Sequence, residues 1–461
     1  MEAVAGRTGL DEVPGFTKEC SDGTTDPARR APARPPHPAA RRRRRARSPR
    51  PRELREPRRR ERRDPAQVLA PALRRRRPHH GRPRRPRQRG QPHVRRHPDR
   101  AHLGSAVLHE ARHGLGGGRA PDLAIIHAAR LPGYAPGGLL DPWDLDLLAE
   151  FGVRREDFGD RVWESGTFDG DVYSIALDSH PFILFYNTDH AAAAGLMEGD
   201  RMRQPTSPDD FLDMVTAMKE ASGGSGLSYG YVNDGAQMWR LWYTLYLQQG
   251  GVMELPIGGE ARIDDEPAVE AFRFIQQLVD PSRGVPNADI QTALAEFISG
   301  DSGMLLSGVW ELPSLQAAGL PIDAMPIPNL YGTPAAYADS HAFVLPHQND
   351  VDEDARREVY RFVAEILKDS FDWAGAGHVP AYLPVTEDPA YADLLPQANY
   401  AAVAEIINYD PPAWFTGSGS DFQSLFAENL QPVLLAGADP QAGIDRFRAA
   451  LDELLGKPNP V

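Results

Sequence analysis

Cysteine is almost absent from this chain of 461 residues. Cys20 stands alone, which excludes a disulfide-stapled scaffold and a cysteine-based zinc site. No apolar run approaches the roughly 18 residues that a membrane-spanning helix requires, so no span is expected. Residues 1–23 lack the apolar stretch of about 7–15 residues found in secretory signals, so the chain as written is expected to stay in the cytoplasm. Tryptophan is missing from the first 140 residues; all seven come later. Basic residues are scarce after residue 120, where 18 face 52 acidic ones and leave −34. Residues 1–120 hold 33 basic and 12 acidic side chains, or +21, and the net charge of −13 hides this split.

The basic head runs from residue 28 to about 119 and contains almost no Ile, Val, Phe, Tyr or Trp. Too little apolar area is available there to offset the entropy of ordering, so disorder is the physical expectation. Clustered arginines can neutralise phosphates, which makes a nucleic-acid arm one reading. The segment lacks the aromatics that stack on bases, which weighs against it. The other reading is translation out of frame. Shifted by one nucleotide, the codons of Leu108-His109-Glu110-Ala111-Arg112-His113 permit Tyr-Thr-Lys-Leu-Ala-Thr, a plausible amphipathic helix. Residues rich in Arg, Pro and His are what GC-rich coding DNA tends to produce off frame.

After Arg119 the texture becomes globular, with a 41% hydrophobic fraction over the chain as a whole. Residues 123–126 read as a buried strand, as do 172–176, 182–186, 303–306 and 342–345. Ser207-Pro208-Asp209-Asp210 opens a helix with a capping serine, an early proline and early acids. Further helices are expected over 237–249, 267–279, 289–299, 352–368, 420–436 and 440–455. Alternating strands and helices argue for an α/β fold with mostly parallel sheets.

The order of short motifs over about 340 residues resembles the extracellular solute-binding proteins of ABC-type sugar importers. It comprises Ala120-Pro121-Asp122-Leu123, Gly133-Tyr134-Ala135, Phe168-Asp169-Gly170, Leu177-Asp178, Phe185-Tyr186-Asn187-Thr188-Asp189, Gly250-Gly251, Phe297-Ile298-Ser299-Gly300, Gly308-Val309-Trp310 and Gly377-His378-Val379-Pro380. The resemblance implies a two-lobed periplasmic-binding-protein-like fold of type II. It places an N-terminal lobe over 119–180 and 340–380 and a C-terminal lobe over 181–339 and 381–461. The N-terminal lobe would be incomplete, because residues 1–118 stand where its first β-α units belong. Crossings are expected near 178–181, 337–341 and 380–383. Such proteins are extracellular or periplasmic, often lipid-anchored; Cys20-Ser21-Asp22-Gly23 is similar to a mature lipoprotein start, but Thr17-Lys18-Glu19 is no lipobox.

Sugar recognition needs flat aromatic faces and planar polar groups beyond the carboxyl ends of strands. His127 and Arg130 follow the first body strand, and the resemblance assigns Arg130 to the ligand. Asp178 and His180 lie at the first crossing, His341 at the second and His378 in the Gly-His-Val-Pro loop. Trp310 matches the stacking tryptophan of the family, with Glu311 beside it. Trp239, Trp414 and Phe422 complete the candidate set, while Trp373 reads as packing.

The expected partners are a small-molecule sugar and the membrane permease subunits of an ABC transporter, with no nucleic acid, no cofactor and a monomeric state. No Gly-x-Ser-x-Gly elbow, Walker loop or His-Glu-x-x-His points to an enzyme. Two carboxylates near a sugar leave a glycosidase open. Convergence of His127, His180, His341 and His378 would instead suit a metal-importer component.

Overall fold

The computed structural model describes residues 120–460. The basic head, Cys20 and the shifted reading of residues 108–113 lie outside the described residues.

The principal elements are β1 (Ala124–His127), β2 (Leu140–Asp141), β3 (Ser174–Ala176), β4 (Asp178–Asn187), α1 (Pro208–Ser222), β5 (Ser225–Tyr229), α2 (Gly235–Gln248), α3 (Asp265–Leu278) and α4 (Ile290–Ile298). They continue with β6 (Ser302–Gly308), α5 (Leu312–Ala318), β7 (Ile322–Pro326), β8 (Ala336–Asp339), β9 (His341–Pro346), α6 (Glu353–Lys368), β10 (Val379–Pro380), β11 (Ile407–Asn408), α7 (Asp421–Ala436) and α8 (Pro440–Leu455). Local chemistry accounts for the helix starts. Ser207 accepts the Asp210 N–H ahead of α1, Asp352 that of Ala355 ahead of α6, and Asp439 that of Ala442 ahead of α8.

Two larger sheets organise the described residues. In the first, β9 pairs with β1, β2 and β3, all antiparallel. Its core joins Phe343 and Leu345 to Tyr360, Val363 and Leu367 of α6. The second is built around β4, which pairs antiparallel with β6, β7, β8 and β10. Helices α1, α2, α3, α7 and α8 bury Trp239, Trp242, Phe272, Phe426 and Phe447 over that sheet. The chain enters the second sheet at Leu177, between β3 and β4, and returns to the first at Ser340, between β8 and β9.

The expectation of mostly parallel sheets is corrected here. Among the described residues, only β5–β6 and β8–β11 of these pairings are parallel. All ten residues of β4 are buried. Its unbroken apolar run therefore reports helices on both faces, a condition that antiparallel strands satisfy as well as parallel ones.

Candidate functional site

Strand register brings the polar candidates together. His127 of β1 stands opposite His341 of β9, Asp339 of β8 opposite His180 of β4, and Pro380 of β10 opposite Asp178. The two residues preceding Pro380 carry His378 to the same place. Ring centroids are 4.6 Å apart for His180 and His341, 5.2 Å for His127 and His180, and 5.5 Å for His341 and His378.

Asp178 is the hub of this cluster and has no exposed surface. Its Oδ1 accepts the His341 backbone N–H at 2.9 Å and lies 3.2 Å from His180 Nδ1. Its Oδ2 accepts Trp373 Nε1–H at 2.7 Å and lies 2.8 Å from His341 Nδ1. Burial alone would raise the Asp178 pKa, but the charge on His341 and the imidazole hydrogen bonds hold it well below the usual carboxylate range. His341 is shifted up, because Asp178 outweighs its own burial. Burial lowers His180, and pushes His127 and His378 down to about 3, so these three rings are neutral near pH 7. Asp339, also fully buried, accepts the N–H groups of Ala129, Ser340 and Ser418 and sits 3.7 Å from His127.

An aromatic wall adjoins the cluster. Trp310 lies in the turn directly after β6, and its indole folds back over Gly308, where an added Cβ would meet the ring at 2.0 Å. The Arg240 guanidinium sits 4.7 Å from the Trp310 ring centroid and 5.8 Å from that of Tyr337. The ring centroids of His180 and Trp310 are 6.0 Å apart in an edge-to-face arrangement. Burial raises the Glu311 pKa, with the Trp310 hydrogen bond and Arg240 opposing it. Arg130 donates to the Thr416 carbonyl at 3.2 Å, and Trp414, two residues away, is half-buried.

Trp239 and Phe422 lie elsewhere, in the core over the second sheet, with no exposed surface. Trp239 is enclosed by Tyr243, Phe422 and Phe426 at 4.6–5.2 Å, so no ligand reaches either ring in this structure. Its indole nitrogen instead donates to Asp410, which also accepts the Tyr337 hydroxyl. Four neighbours of the site went unsingled in the sequence: Arg240, Tyr337, Asp339 and Asp410. Trp373, read as packing, stacks on His378 at 4.6 Å and holds Asp178. Its position four residues before Gly377 was the available signal.

Asp410 carries a pH prediction. Burial, aided by Asp339, pushes its pKa up to about 7. A carboxyl raised in the folded state contributes full stability below its unfolded value of about 4 and loses it as pH rises to about 7. Asp410→Asn should remove that loss. The variant's stability relative to the unsubstituted chain is expected to climb by up to about 4 kcal/mol between pH 4 and 7 in urea unfolding, at about 1.4 kcal/mol per unit. A flat difference across that window would contradict the shift.

Comparison with known proteins places this geometry. Residues 107–390, well over half of the chain, match the family described as bacterial extracellular solute-binding protein. Maltodextrin-binding protein MdxE of Bacillus subtilis (strain 168) is 25% identical over 224 residues, 46% of this chain and 49% of that protein. The match thus spans about half the length of that relative. Among solved structures, the sugar-binding protein MalE of Xanthomonas citri superposes with a TM-score of 0.63 at 17% identity, covering 76% of this chain and 88% of that one. UgpB of Mycobacterium tuberculosis, in complex with glycerophosphocholine, gives 0.62 at 18% identity over 76% and 87%. These structures share the two-lobed type II fold, and the family match decides membership: the chain belongs to the bacterial extracellular solute-binding proteins.

Proposed function

We propose that this chain captures a mono- or oligosaccharide between two lobes and delivers it to the membrane permease of an ABC transporter, without chemical change to the sugar. The lobes comprise residues 119–180 with 340–380 and residues 181–339 with 381–461. Binding takes place outside the membrane, by a monomer, with no part for nucleic acid or a cofactor.

The observation that carries this reading is the Trp310 indole, backed by Arg240 and set beside a cluster of imidazoles and carboxylates. A flat apolar ring beside planar hydrogen-bonding groups suits the two chemistries of a pyranose, its C–H face and its hydroxyl edge. Trp310, Trp414 and Arg130 would contact the sugar from the side of the wall. Glu311 and His127 would supply polar contacts at the base of the cleft, with the buried Asp178, His180 and His378 and the half-buried His341 forming the polar floor beneath them. Trp239 and Phe422, buried in the core over the second sheet, would act on the cleft only at one remove, through the Asp410 that Trp239 shares with Tyr337.

The test is a thermal-shift screen of the full chain, treated with EDTA, against monosaccharides, maltose, longer maltodextrins and glycerophosphocholine. A ligand at 100-fold its Kd adds about 2.7 kcal/mol, a rise of several degrees in Tm. At least one saccharide is expected to give it, with the sugar recovered intact by chromatography. No shift with any saccharide at millimolar concentration would overturn the proposal, and hydrolysed sugar would move the chain to the glycosidases.

A further inference from the structure

We propose that Asp178, His180, His341 and His378 form a binding site for one divalent transition-metal ion of the zinc type. The proposal goes beyond sugar capture and does not depend on it.

Convergence is the first argument. The four residues come from three separate passages of the chain: β4, the first residue of β9, and the loop before β10. One potential ligand atom from each lies within 4.8 Å of all the others. A zinc tetrahedron with metal–nitrogen bonds of about 2.0–2.1 Å has edges of about 3.3 Å, so an ion would draw the side chains inward by about 1 Å.

Unmet hydrogen bonding is the second. His180 is 4% exposed and His378 is 6% exposed. His180 Nε2 and His378 Nδ1 have no hydrogen-bond partner among the described residues. A buried polar atom left unpaired is destabilising, and an imidazole nitrogen in that state is a lone-pair donor waiting for an acceptor. Both atoms are buried. A bare ion meets the steric demand there with far less movement than a sugar hydroxyl and its ring.

The donor set and its support are the third. Three imidazoles and one carboxylate match zinc and its neighbours, not magnesium or calcium, which take oxygen ligands. Trp373 Nε1–H and the His341 backbone N–H fix the Asp178 carboxylate, the kind of outer support that metal carboxylates use. Because the ligands stand where the chain passes between the two sheets, the ion would tie those passages together.

The test uses the full chain, stripped with EDTA and kept free of sugar. Zinc chloride titrated by calorimetry should reveal a site of micromolar or tighter Kd that His378→Ala and His180→Ala each weaken at least 30-fold. His347→Ala, remote from the cluster, should shift it less than threefold. Cobalt(II) should give the intense visible bands of a tetrahedral nitrogen–oxygen site in the unsubstituted chain, a readout that survives if a variant fails to fold. Zinc binding unchanged in both variants, or an octahedral cobalt spectrum, would overturn the assignment. The sugar screen runs in EDTA, so failure of one proposal leaves the other standing.

Discussion

Asp178→Ala is expected to cost about 3–5 kcal/mol of stability, the range for breaking a buried ion pair by removing one partner. The carboxylate it deletes serves the backbone and side chain of His341, the side chain of His180 and the indole of Trp373. His341 would lose the carboxylate that raises its pKa against burial, and its Nδ1 would be left without that partner. A typical domain has only about 5–15 kcal/mol in hand. Urea unfolding at pH 7 checks the number, with Asp178→Asn expected to keep part of the hydrogen bonding and fall between. A cost under about 1 kcal/mol would mean that the cluster is solvated and that the ion pair contributes little.

Trp310→Ala should have the opposite profile, with a small change in stability and a large one in binding. Truncating a central aromatic anchor costs about 2–4 kcal/mol, so the Kd for the best sugar in the screen is expected to rise roughly 30- to 1,000-fold. Calorimetry with that sugar measures it, and Trp310→Phe should recover part of the loss by restoring a flat face. Equal affinity in the alanine variant would remove Trp310 from the cleft. Arg240 offers an internal check, since its guanidinium would lose the indole it lies against while keeping Tyr337.

The two variants separate what was readable in the chain from what was not. Helix α8 runs over Pro440–Leu455 as expected, because Asp439, Pro440 and the spacing of Ile444, Phe447 and Leu451 are local signals. Trp310 and Asp178 are visible because each sits in a short motif. The fate of Trp239 was hidden by α2 itself, which is buried nearly all round and so gives no periodic clue to which face meets solvent. Convergence on Asp178 is non-local. His341 and Asp178 are 163 positions apart, and only strand register, which no single segment encodes, puts them in contact. Strand direction was hidden for a related reason, since burial on both faces gives the same apolar run either way.

Ser340 alone separates β8, in the second sheet, from β9, in the first. That makes it a fulcrum with long arms. The six residues of β9 extend about 20 Å, so a turn of about 10° in the dihedrals of Ser340 would sweep the far end of the strand through about 3–4 Å. Strands β1, β2 and β3 are bonded to β9 and would travel with it. The side chain of Ser340 is tethered to the Tyr409 hydroxyl at 2.7 Å, a light catch on a lever of high gain.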